Sequence, residues 1–258
     1  LALDVQEAFR PDLRLVAMSA TLDGTRFSLL MDDAPIIESE GRSYPLRHVY
    51  VGRSWAQLVE QAVADTIRQA LKDQEGDLLA FLPGVREIDR TADSLKLPSD
   101  IVIHKLHGQI EPADQRAAIR RDPGGRRKVI LATSIAETSL TIDGVRIVVD
   151  SGLSRRPRYD RAAGITRLVT ERVSQAAATQ RAGRAARQGA GVAYRLWEEA
   201  ATSGLIPFDP PEILESDSTA LVLDCAVWGA APQTLRWLDV PTSAAVREAN
   251  QRLQALDA

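Results

Sequence analysis

The sequence lacks several features that mark common classes of protein. It has a single cysteine, Cys225, among 258 residues, which excludes an intrachain disulfide and a cluster of thiolate metal ligands and suits the reducing cytoplasm. No run approaches the ~20 consecutive apolar residues of a membrane span. The start has neither an initiator Met nor the layout of a signal peptide, so we expect a fragment of a longer cytoplasmic chain with no membrane segment.

A strong net charge is also lacking. The 32 basic and 35 acidic side chains give a net charge of −3, so the chain as a whole has no electrostatic attraction to nucleic acid. The distribution is uneven, because arginines concentrate between Arg146 and Arg195 whereas residues 203–224 are acidic. The sequence therefore predicts a local basic patch in a neutral protein, and phosphate groups are expected there.

The pattern of apolar residues indicates an α/β fold. The composition, 45% hydrophobic and 26% charged, is typical of soluble globular proteins. Short apolar runs alternate with amphipathic stretches, which is the pattern of a parallel sheet covered on both faces by helices. The predicted strands are Leu13–Met18, Asp77–Leu82, Ile101–Lys105, Lys128–Thr133, Val145–Asp150 and Gly191–Leu196. The predicted helices are Trp55–Lys72, Val85–Leu95, Pro112–Arg121 and Ser174–Arg184.

Two regions depart from this alternating pattern of strands and helices. Residues 151–170 contain interrupting glycines and a proline between short alternating runs, which predicts a β-hairpin rather than a crossover helix. After Pro207-Phe208-Asp209-Pro210-Pro211 the sequence reads as helical. The predicted helices there are Ser218–Trp228, Thr234–Leu238 and Ser243–Leu256. We expect three parts, which are residues 1–39, 40–205 and 206–258.

The segment Gln180–Arg187 reads Gln-Arg-Ala-Gly-Arg-Ala-Ala-Arg. Arg184 and Arg187 are three residues apart, so on a helix or on the turn that ends it both guanidinium groups can face one anion. Such arginines stabilise the charge on a transferring γ-phosphate, by about 10³–10⁵ in rate in related systems, and Gln180 is placed to orient the attacking water. The alternative is a solvated basic helix face.

The segment Ala132–Gly144 follows a predicted buried strand and is rich in hydroxyl groups. The carboxyl ends of parallel strands are where ligands bind. Short hydroxyl side chains and backbone N–H groups hold phosphate oxygens of nucleic acids, and an acidic side chain accepts from ribose hydroxyls. The alternative is a polar loop whose Ser and Thr residues cap a helix.

These two segments, in this order around a hairpin, resemble motifs V and VI of the DEAH-box RNA helicases. Ser19-Ala20-Thr21 looks like motif III, Phe81-Leu82-Pro83-Gly84 looks like motif IV, and Leu106-His107-Gly108-Gln109 is similar to the segment that follows motif IV. The resemblance covers essentially the whole chain. Its details, notably Glu40–Pro45 and Trp228–Pro241, are most like a bacterial branch of the family.

The resemblance implies the following organisation. Residues 1–39 end a first RecA-like lobe, residues 40–205 form the second RecA-like lobe with a hairpin wedge, and residues 206–258 begin a winged-helix domain. Gln180, Arg184 and Arg187 face the γ-phosphate as the catalytic residues. The other residues on the nucleotide side are Asp143 near the ribose, Gly183, and Ser19 and Thr21, which couple nucleotide state to the arrangement of the lobes. The residues expected to bind RNA are Thr133, Ser134, Thr138, Arg155 and Arg158.

The activity that the resemblance implies is ATP-driven translocation on single-stranded or structured RNA. With no Gly-x-x-x-x-Gly-Lys-Ser/Thr loop and no Asp-Glu-Ala-His run, this chain has no residues to cradle the β-phosphate of ATP or to hold Mg²⁺. Those ligands are expected from the first lobe, and the chain alone is expected to be inactive. No metal site is expected of the chain itself, since His104 and His107 have no third ligand.

Two readings compete with the motor. Ser134 and Ala186 stand where the family usually has Asn and Gly, which is the one argument for a non-catalytic RNA-binding or scaffolding module that retains the fold. The intact Gln180, Arg184 and Arg187 argue against it. A DNA helicase would share the same motor chemistry, and the sequence carries no RNA/DNA preference that separates the two.

Overall fold

The structure is a computed structural model that describes residues 1–18, 24–38, 44–54, 56–137, 140–161 and 163–256. The strands are β1 Leu46–Tyr50, β2 Asp77–Phe81, β3 Ile101–Leu106, β4 Arg127–Ala132, β5 Val145–Asp150, β6 Leu153–Asp160, β7 Ile165–Arg172 and β8 Gly191–Arg195. The α-helices are α1 Ala2–Ala8, α2 Gly24–Leu30, α3 Val59–Asp73, α4 Val85–Ser94, α5 Pro112–Ile119, α6 Gln175–Gly183, α7 Glu212–Glu215, α8 Thr219–Trp228 and α9 Ser243–Ala255. Short 3₁₀ turns are found at Ser134–Ala136, Arg184–Ala186, Glu199–Thr202 and Pro232–Thr234.

Contacts between residues divide the chain into two compact units. The larger unit contains Gly41–Arg156 and Val169–Asp209. The other contains Leu1–Glu40, Pro157–Leu168 and Pro210–Ala258. The hairpin of β6 and β7 therefore starts and ends in the larger unit, while its tip groups with the terminal segments.

A six-stranded sheet in the order β1-β8-β5-β2-β4-β3 forms the centre of the larger unit. Every pair of neighbouring strands is parallel, so all the carboxyl ends lie at one edge of the sheet. The predicted parallel sheet is confirmed, and β2, β3, β4, β5 and β8 fall where the apolar runs predicted them.

Helices cover both faces of this sheet. Side chains alternate across a strand, and accordingly Leu78 of β2 belongs to a core with α3 and α4 while Leu79 belongs to a second core with α5 and α6. Both leucines are fully buried. Two-sided burial explains why the central strands are continuous apolar runs rather than alternating ones.

A fully buried lysine connects α5 to the sheet. The Lys128 ammonium on β4 donates to the carbonyl oxygens of Ala118 at 3.0 Å and Arg120 at 2.5 Å, which are among the last carbonyls of α5. A cation is favoured at this end of a helix because the unpaired carbonyls carry partial negative charge. Burial is the main cause that lowers the pKa of Lys128.

Several details of the predicted secondary structure differ from the structure. Helix α3 starts at Val59, four residues after the predicted start. Residues 13–18 are not a strand: a strand needs a hydrogen-bonded neighbour, and none pairs with them among the described residues. The strand β1 was missed, because Leu46-Arg47-His48-Val49-Tyr50 is a short edge strand with polar side chains. Thr234–Leu238 is not a helix, since the chain makes a 3₁₀ turn at Pro232–Thr234 and is extended at Leu235.

The smaller unit has its own contacts. Helices α8 and α9 pack through Val222, Val246, Ala249 and Leu253, and the predicted helices Ser218–Trp228 and Ser243–Leu256 are confirmed to within one residue. Cys225 on α8 is a buried free thiol. Among the described residues, no helix is long and apolar enough to cross a bilayer.

Candidate functional site

The carboxyl ends of the central strands lie side by side. Phe81 of β2 is in register with Ala132 of β4 and with Asp150 of β5, and Leu106 of β3 is also in register with Ala132. The segments that follow these residues therefore emerge at one edge of the sheet. Three of the sequence motifs meet there, as the rule for parallel sheets requires.

The hydroxyl-rich loop starts at this edge with Thr133. The N–H of Thr133 donates to the carbonyl of Leu106 at 3.1 Å, which holds the start of the loop against β3. Ser134 follows at the surface and begins a 3₁₀ turn. Thr138, like Ser19 and Thr21, is outside the described residues, so its predicted role stays a prediction.

Arg181 is buried at the centre of a network of charges beneath this loop. Its guanidinium pairs with Glu137 at 2.5 Å and with Asp150 at 2.9 Å, and it donates to the carbonyl of Leu153 at 3.0 Å. The guanidinium carbon lies 4.9 Å from the centre of the Phe81 ring. One side chain therefore connects α6 to the loop after β4, to the ends of β2 and β5, and to the start of the hairpin.

Burial affects the pKa values of both Arg181 and Glu137. Burial alone would lower the pKa of Arg181, but the carboxylates of Asp150 and Glu137 outweigh that effect and raise it. Burial raises the pKa of Glu137 despite the attraction of Arg181. The guanidinium therefore remains charged, and Glu137 carries the cost of placing a carboxylate in the interior.

Arg184 also turns inward. It is 4% exposed, its Nε donates to the carbonyl of Glu137 at 3.0 Å, and its Nη1 donates to the carbonyl of Leu140. Burial, followed by the positive charge of Arg187, lowers the pKa of Arg184 to about 10. Arg184 donates to two carbonyls of the protein's own loop, so the expectation that Arg184 and Arg187 face one anion stays a prediction.

Arg187 is exposed, immediately after the 3₁₀ turn Arg184–Ala186 that ends α6. The next residue, Gln188, donates from its amide to the carboxylate of Asp143 at 2.9 Å and accepts from the N–H of Gly144 at 3.0 Å. Arg187 and Asp143, both predicted to face the nucleotide, are therefore joined through one glutamine. Gln180 lies on α6, about one helical turn before Arg184, and is partly buried.

Thr133, which is predicted to bind RNA, and Asp143, which is predicted to lie near the nucleotide, are at opposite edges of the sheet. Thr133 follows the carboxyl end of β4, whereas Asp143 lies two residues before the amino end of β5. The segment from α6 to Arg187 extends from the carboxyl edge of the sheet to the amino edge. Just before α6, the N–H of Val173 donates to the carbonyl of Gly152 at the carboxyl edge. At the other end of the segment, Arg187 precedes the amino end of β8. The segment 174–187 and the residue after it contact the described parts of the loop at Glu137, Leu140 and Asp143.

The arginines of the hairpin are paired with carboxylates. Arg155 pairs with Glu87 of α4 at 3.0 Å and donates to the Thr170 hydroxyl at 3.3 Å. Arg158, near the tip, pairs with Glu215. Both predicted RNA-binding arginines are therefore engaged within the protein, and an RNA phosphate would compete with these carboxylates for them.

The inward direction of Arg181 was not predicted from the sequence, where Arg181 falls within the basic patch. A signal was present, because Arg181 lies four residues after Ala177 and three after Ala178, and so shares the apolar face of α6. All three residues are buried. Among the described residues, no group of three His, Cys, Asp or Glu side chains is arranged to hold a metal ion.

Comparisons with known proteins give a consistent result. The helicase conserved C-terminal domain matches residues 60–189. The ATP-dependent RNA helicase HrpB of Escherichia coli (strain K12) is 44% identical over 261 residues, which cover 100% of this chain and 32% of that protein. The probable ATP-dependent RNA helicase DHX34 of Mus musculus is 37% identical over 261 residues, covering 95% and 23% respectively.

A solved structure agrees with the sequence matches. The crystal structure of Escherichia coli DEAH/RHA helicase HrpB superposes with a TM-score of 0.93 at 44% identity, over 98% of this chain and 33% of that chain. The RecA-like fold predicted from the motifs is thereby confirmed. The chain spans about a third of the length of HrpB and less than a quarter of DHX34.

Proposed function

Since this chain belongs to the family of the helicase conserved C-terminal domain, we propose that it is the second motor lobe of a cytoplasmic DEAH-box ATP-dependent RNA helicase. The observation that carries the proposal is the contrast within one motif. Arg181 and Arg184 are buried and hold the hydroxyl-rich loop, whereas Arg187 emerges exposed beside Arg184. A solvated basic face would not require two of its arginines to be internal.

The domain organisation follows from the resemblance. Residues 1–39 would end the first RecA-like lobe, residues 40–205 would form the second lobe, and residues 206–258 would begin a winged-helix domain. The boundaries of the compact units near residues 40 and 209 agree with two of the proposed boundaries, although both terminal segments belong to one unit. The hairpin between β6 and β7 would be the wedge that meets the bound strand.

On the nucleotide side, Arg187 and Arg184 would stabilise the charge that develops on the γ-phosphate of ATP, and Gln180 would orient the attacking water. Asp143 would accept from the ribose, with Gly183 allowing close approach. Ser19 and Thr21 would couple nucleotide state to the lobes. The exposed guanidinium of Arg187 suits an anionic phosphate, while the ligands of Mg²⁺ and of the β-phosphate would come from the first lobe.

On the nucleic-acid side, the carboxyl edge of the sheet would hold RNA. Thr133, Ser134 and Thr138 would contact backbone phosphates through hydroxyl and N–H groups. Arg155 and Arg158 would supply positive charge from the hairpin. Contacts of this kind make binding depend on salt. RNA is proposed over DNA because the relatives named above are RNA helicases.

The experiment is to compare ATP hydrolysis by the full-length protein and by residues 1–258, each with and without single-stranded RNA. The full-length protein is expected to hydrolyse ATP faster when RNA is present. The 258-residue chain is expected to show no turnover, because it has no Gly-x-x-x-x-Gly-Lys-Ser/Thr loop.

The same assay distinguishes an RNA-dependent motor from the two alternative functions. A scaffolding module would bind RNA and leave every nucleotide intact, and Ser134 and Ala186, which depart from the family pattern, are the residues that favour it. Turnover of ATP that is stimulated by single-stranded DNA and not by RNA would instead identify a DNA motor.

A further inference from the structure

The hairpin of β6 and β7 is attached at its base to helix α4. The Nη2 of Arg155 on β6 donates to Oε1 of Glu87 on α4 at 3.0 Å, and its Nε donates to the hydroxyl of Thr170 on β7 at 3.3 Å. One guanidinium therefore connects both strands of the hairpin to the helix. The three residues belong to the larger unit, so the contact lies within one compact unit.

Gly84, the residue before α4, leaves the space that this guanidinium occupies. A Cβ atom at position 84 would overlap with Nη1 of Arg155 and would lie 2.9 Å from Oε2 of Glu87. The backbone of Gly84 is extended, with φ −164° and ψ 176°, a conformation that any residue adopts. Glycine is therefore required here by the close approach of Arg155 and not by the backbone conformation.

The carboxylate of Glu87 depends on this ion pair. The side chain of Glu87 is 17% exposed and that of Arg155 is 27% exposed. The second carboxylate oxygen of Glu87, Oε2, is buried and has no hydrogen-bond partner among the described residues. A carboxylate in such surroundings is unfavourable unless a cation offsets its charge. Arg155 supplies that cation, and Glu87 in turn fixes the direction of the Arg155 side chain.

The contact lies beside the edge of the sheet where RNA is proposed to bind. Helix α4 begins four residues after the end of β2, and the N–H of Ser151 donates to the carbonyl of Phe81 at the end of β2 at 3.2 Å. The chain that enters the hairpin is thus attached to the β2–α4 segment twice, first at Ser151 and again at Arg155. Two attachments restrict the direction in which the base of the hairpin leaves the sheet.

We propose that Glu87 is a positioning residue for the hairpin. Together with the space left at Gly84, it holds Arg155 so that the base of the hairpin stays fixed on α4 while the protein moves along RNA. A wedge separates two strands only if it does not yield to the strand that meets it. Glu87 and Gly84 thereby determine how much duplex is separated for each ATP hydrolysed. This inference rests on the proposed function, because it needs a motor that moves RNA against the hairpin.

The test measures duplex separation and ATP hydrolysis in the same reaction, with the full-length protein and a short RNA duplex that carries a single-stranded extension at its 3′ or its 5′ end. In Glu87→Gln, the number of base pairs separated per ATP is expected to fall by about fivefold or more, the lower range for coupled sites. The ATP turnover number at saturating RNA is expected to stay close to that of the wild type. Asp89→Asn is the matched control, since Asp89 lies on the same helix and pairs with Lys105 instead.

Gly84→Ala perturbs the same contact by a different route. The added methyl group displaces the guanidinium of Arg155 from Glu87, so a loss in the same direction is expected. Gly204→Ala is the control, because a Cβ atom there meets its nearest neighbour at 3.7 Å. The double variant Gly84→Ala/Glu87→Gln is expected to lose no more than the stronger single variant, since both changes remove one contact. Two losses that multiply would contradict a shared action through Arg155.

Hydrogen exchange reports the attachment without nucleotide or RNA. The amides of residues 153–156 and 169–172 are expected to exchange faster in Glu87→Gln and in Gly84→Ala than in the wild type and the two controls. Unchanged exchange, or unchanged duplex separation per ATP in both variants, would overturn the inference. If the wild type still hydrolyses ATP with RNA stimulation in that case, the proposed function stands.

A failure of the proposed function gives a different result. If exchange is faster in both variants but the wild type hydrolyses no ATP with any RNA, the attachment of the hairpin is real, while the proposed function fails and the positioning of a wedge fails with it.

Discussion

Two arginine-rich segments, 155–158 and 181–187, are alike in composition and differ in their surroundings. In the hairpin segment each arginine pairs with one carboxylate from elsewhere in the chain, and the pairs are Arg155–Glu87, Arg156–Asp209 and Arg158–Glu215. In the segment 181–187 the first two arginines are buried in the larger unit and the third is exposed. A run of arginines therefore does not specify a charged surface. The groups that surround each arginine in the fold decide whether it is buried or exposed.

The difference has an energetic consequence. An ion pair near the surface contributes about 0–1 kcal/mol, because water screens it. Removal of one member of a buried pair costs about 3–5 kcal/mol, because it leaves an uncompensated charge in the interior. Substitutions of arginine at these positions should therefore differ widely in their effects on stability.

The largest effect on stability is expected for Arg181→Met. The change leaves the carboxylates of Glu137 and Asp150 without their cation, and we expect the free energy of unfolding to fall by about 3–5 kcal/mol. Denaturant unfolding of the chain measures it. The matched control is Arg187→Met, the same replacement at an exposed site, which should stay within about 0.5 kcal/mol of the wild type. Equal losses in the two variants would contradict the distinction between buried and exposed arginines.

A smaller effect is expected at the hairpin tip. Arg252 of α9 bonds to Asp217 at 2.8 Å, to Thr219 at 2.9 Å and to Glu248 at 3.0 Å, and it lies over the Tyr159 ring at 5.2 Å. Arg252→Met should lower the free energy of unfolding by about 1 kcal/mol, because these groups are partly solvated.

Arg247→Met on the same helix is the control for Arg252, since Arg247 is exposed. The two variants are compared by thermal unfolding. A melting temperature that is lower for Arg247→Met than for Arg252→Met would show that the bonds at the hairpin tip do not stabilise the smaller unit.

A substitution at the base of the hairpin is expected to change RNA affinity rather than stability. Glu87→Gln removes the carboxylate that holds Arg155, which frees one guanidinium for a phosphate, so single-stranded RNA should bind a few-fold more tightly at low salt. Asp89→Asn is the matched control, because it removes a charge from the same helix but its partner is Lys105. Titrations with labelled RNA compare the two. Equal gains would indicate a general effect of charge.

The smallest effect on stability is expected for the ion pair of Arg126 and Asp122, in which the Arg126 side chain is half exposed and the Asp122 side chain is 5% exposed. The side chain of Arg126, with backbone N–H donors, lowers the pKa of Asp122 to about 2. A lowered carboxyl pKa adds stability above the ordinary value near 4, and this contribution is lost as the pH falls toward 2. The difference in melting temperature between the wild type and Asp122→Asn should therefore be present at pH 7 and vanish near pH 2. A difference that grows on acidification would refute the assigned direction.

Much of the fold could be predicted because burial leaves a strong pattern. The runs Asp77–Phe81 and Val145–Asp150 are covered on both faces, and both were predicted correctly. The edge strand Leu46–Tyr50 pairs on one side only, so its sequence is mixed. Leu13–Met18 has the pattern of a strand, but a strand also needs a neighbour, and sequence alone does not provide one.

The sequence motifs assign Thr133, Arg184 and Arg187 to the candidate site, and their roles stay predictions. The parallel sheet explains why Thr133 lies at a carboxyl edge, but the directions of the side chains could not be predicted. The inward turn of Arg181 depends on two carboxylates, Glu137 and Asp150, which come from different parts of the chain. That convergence is a property of the fold, and a search for local patterns does not detect it.

The most direct test of the motor assignment is the turnover number for ATP of full-length Arg187→Gln at saturating RNA. We predict a fall of about 10³-fold relative to the wild type, with the melting temperature unchanged because Arg187 is exposed. A turnover number within about tenfold of an active wild type would contradict the role of Arg187 at the γ-phosphate, since an interaction made in the transition state is worth more than that.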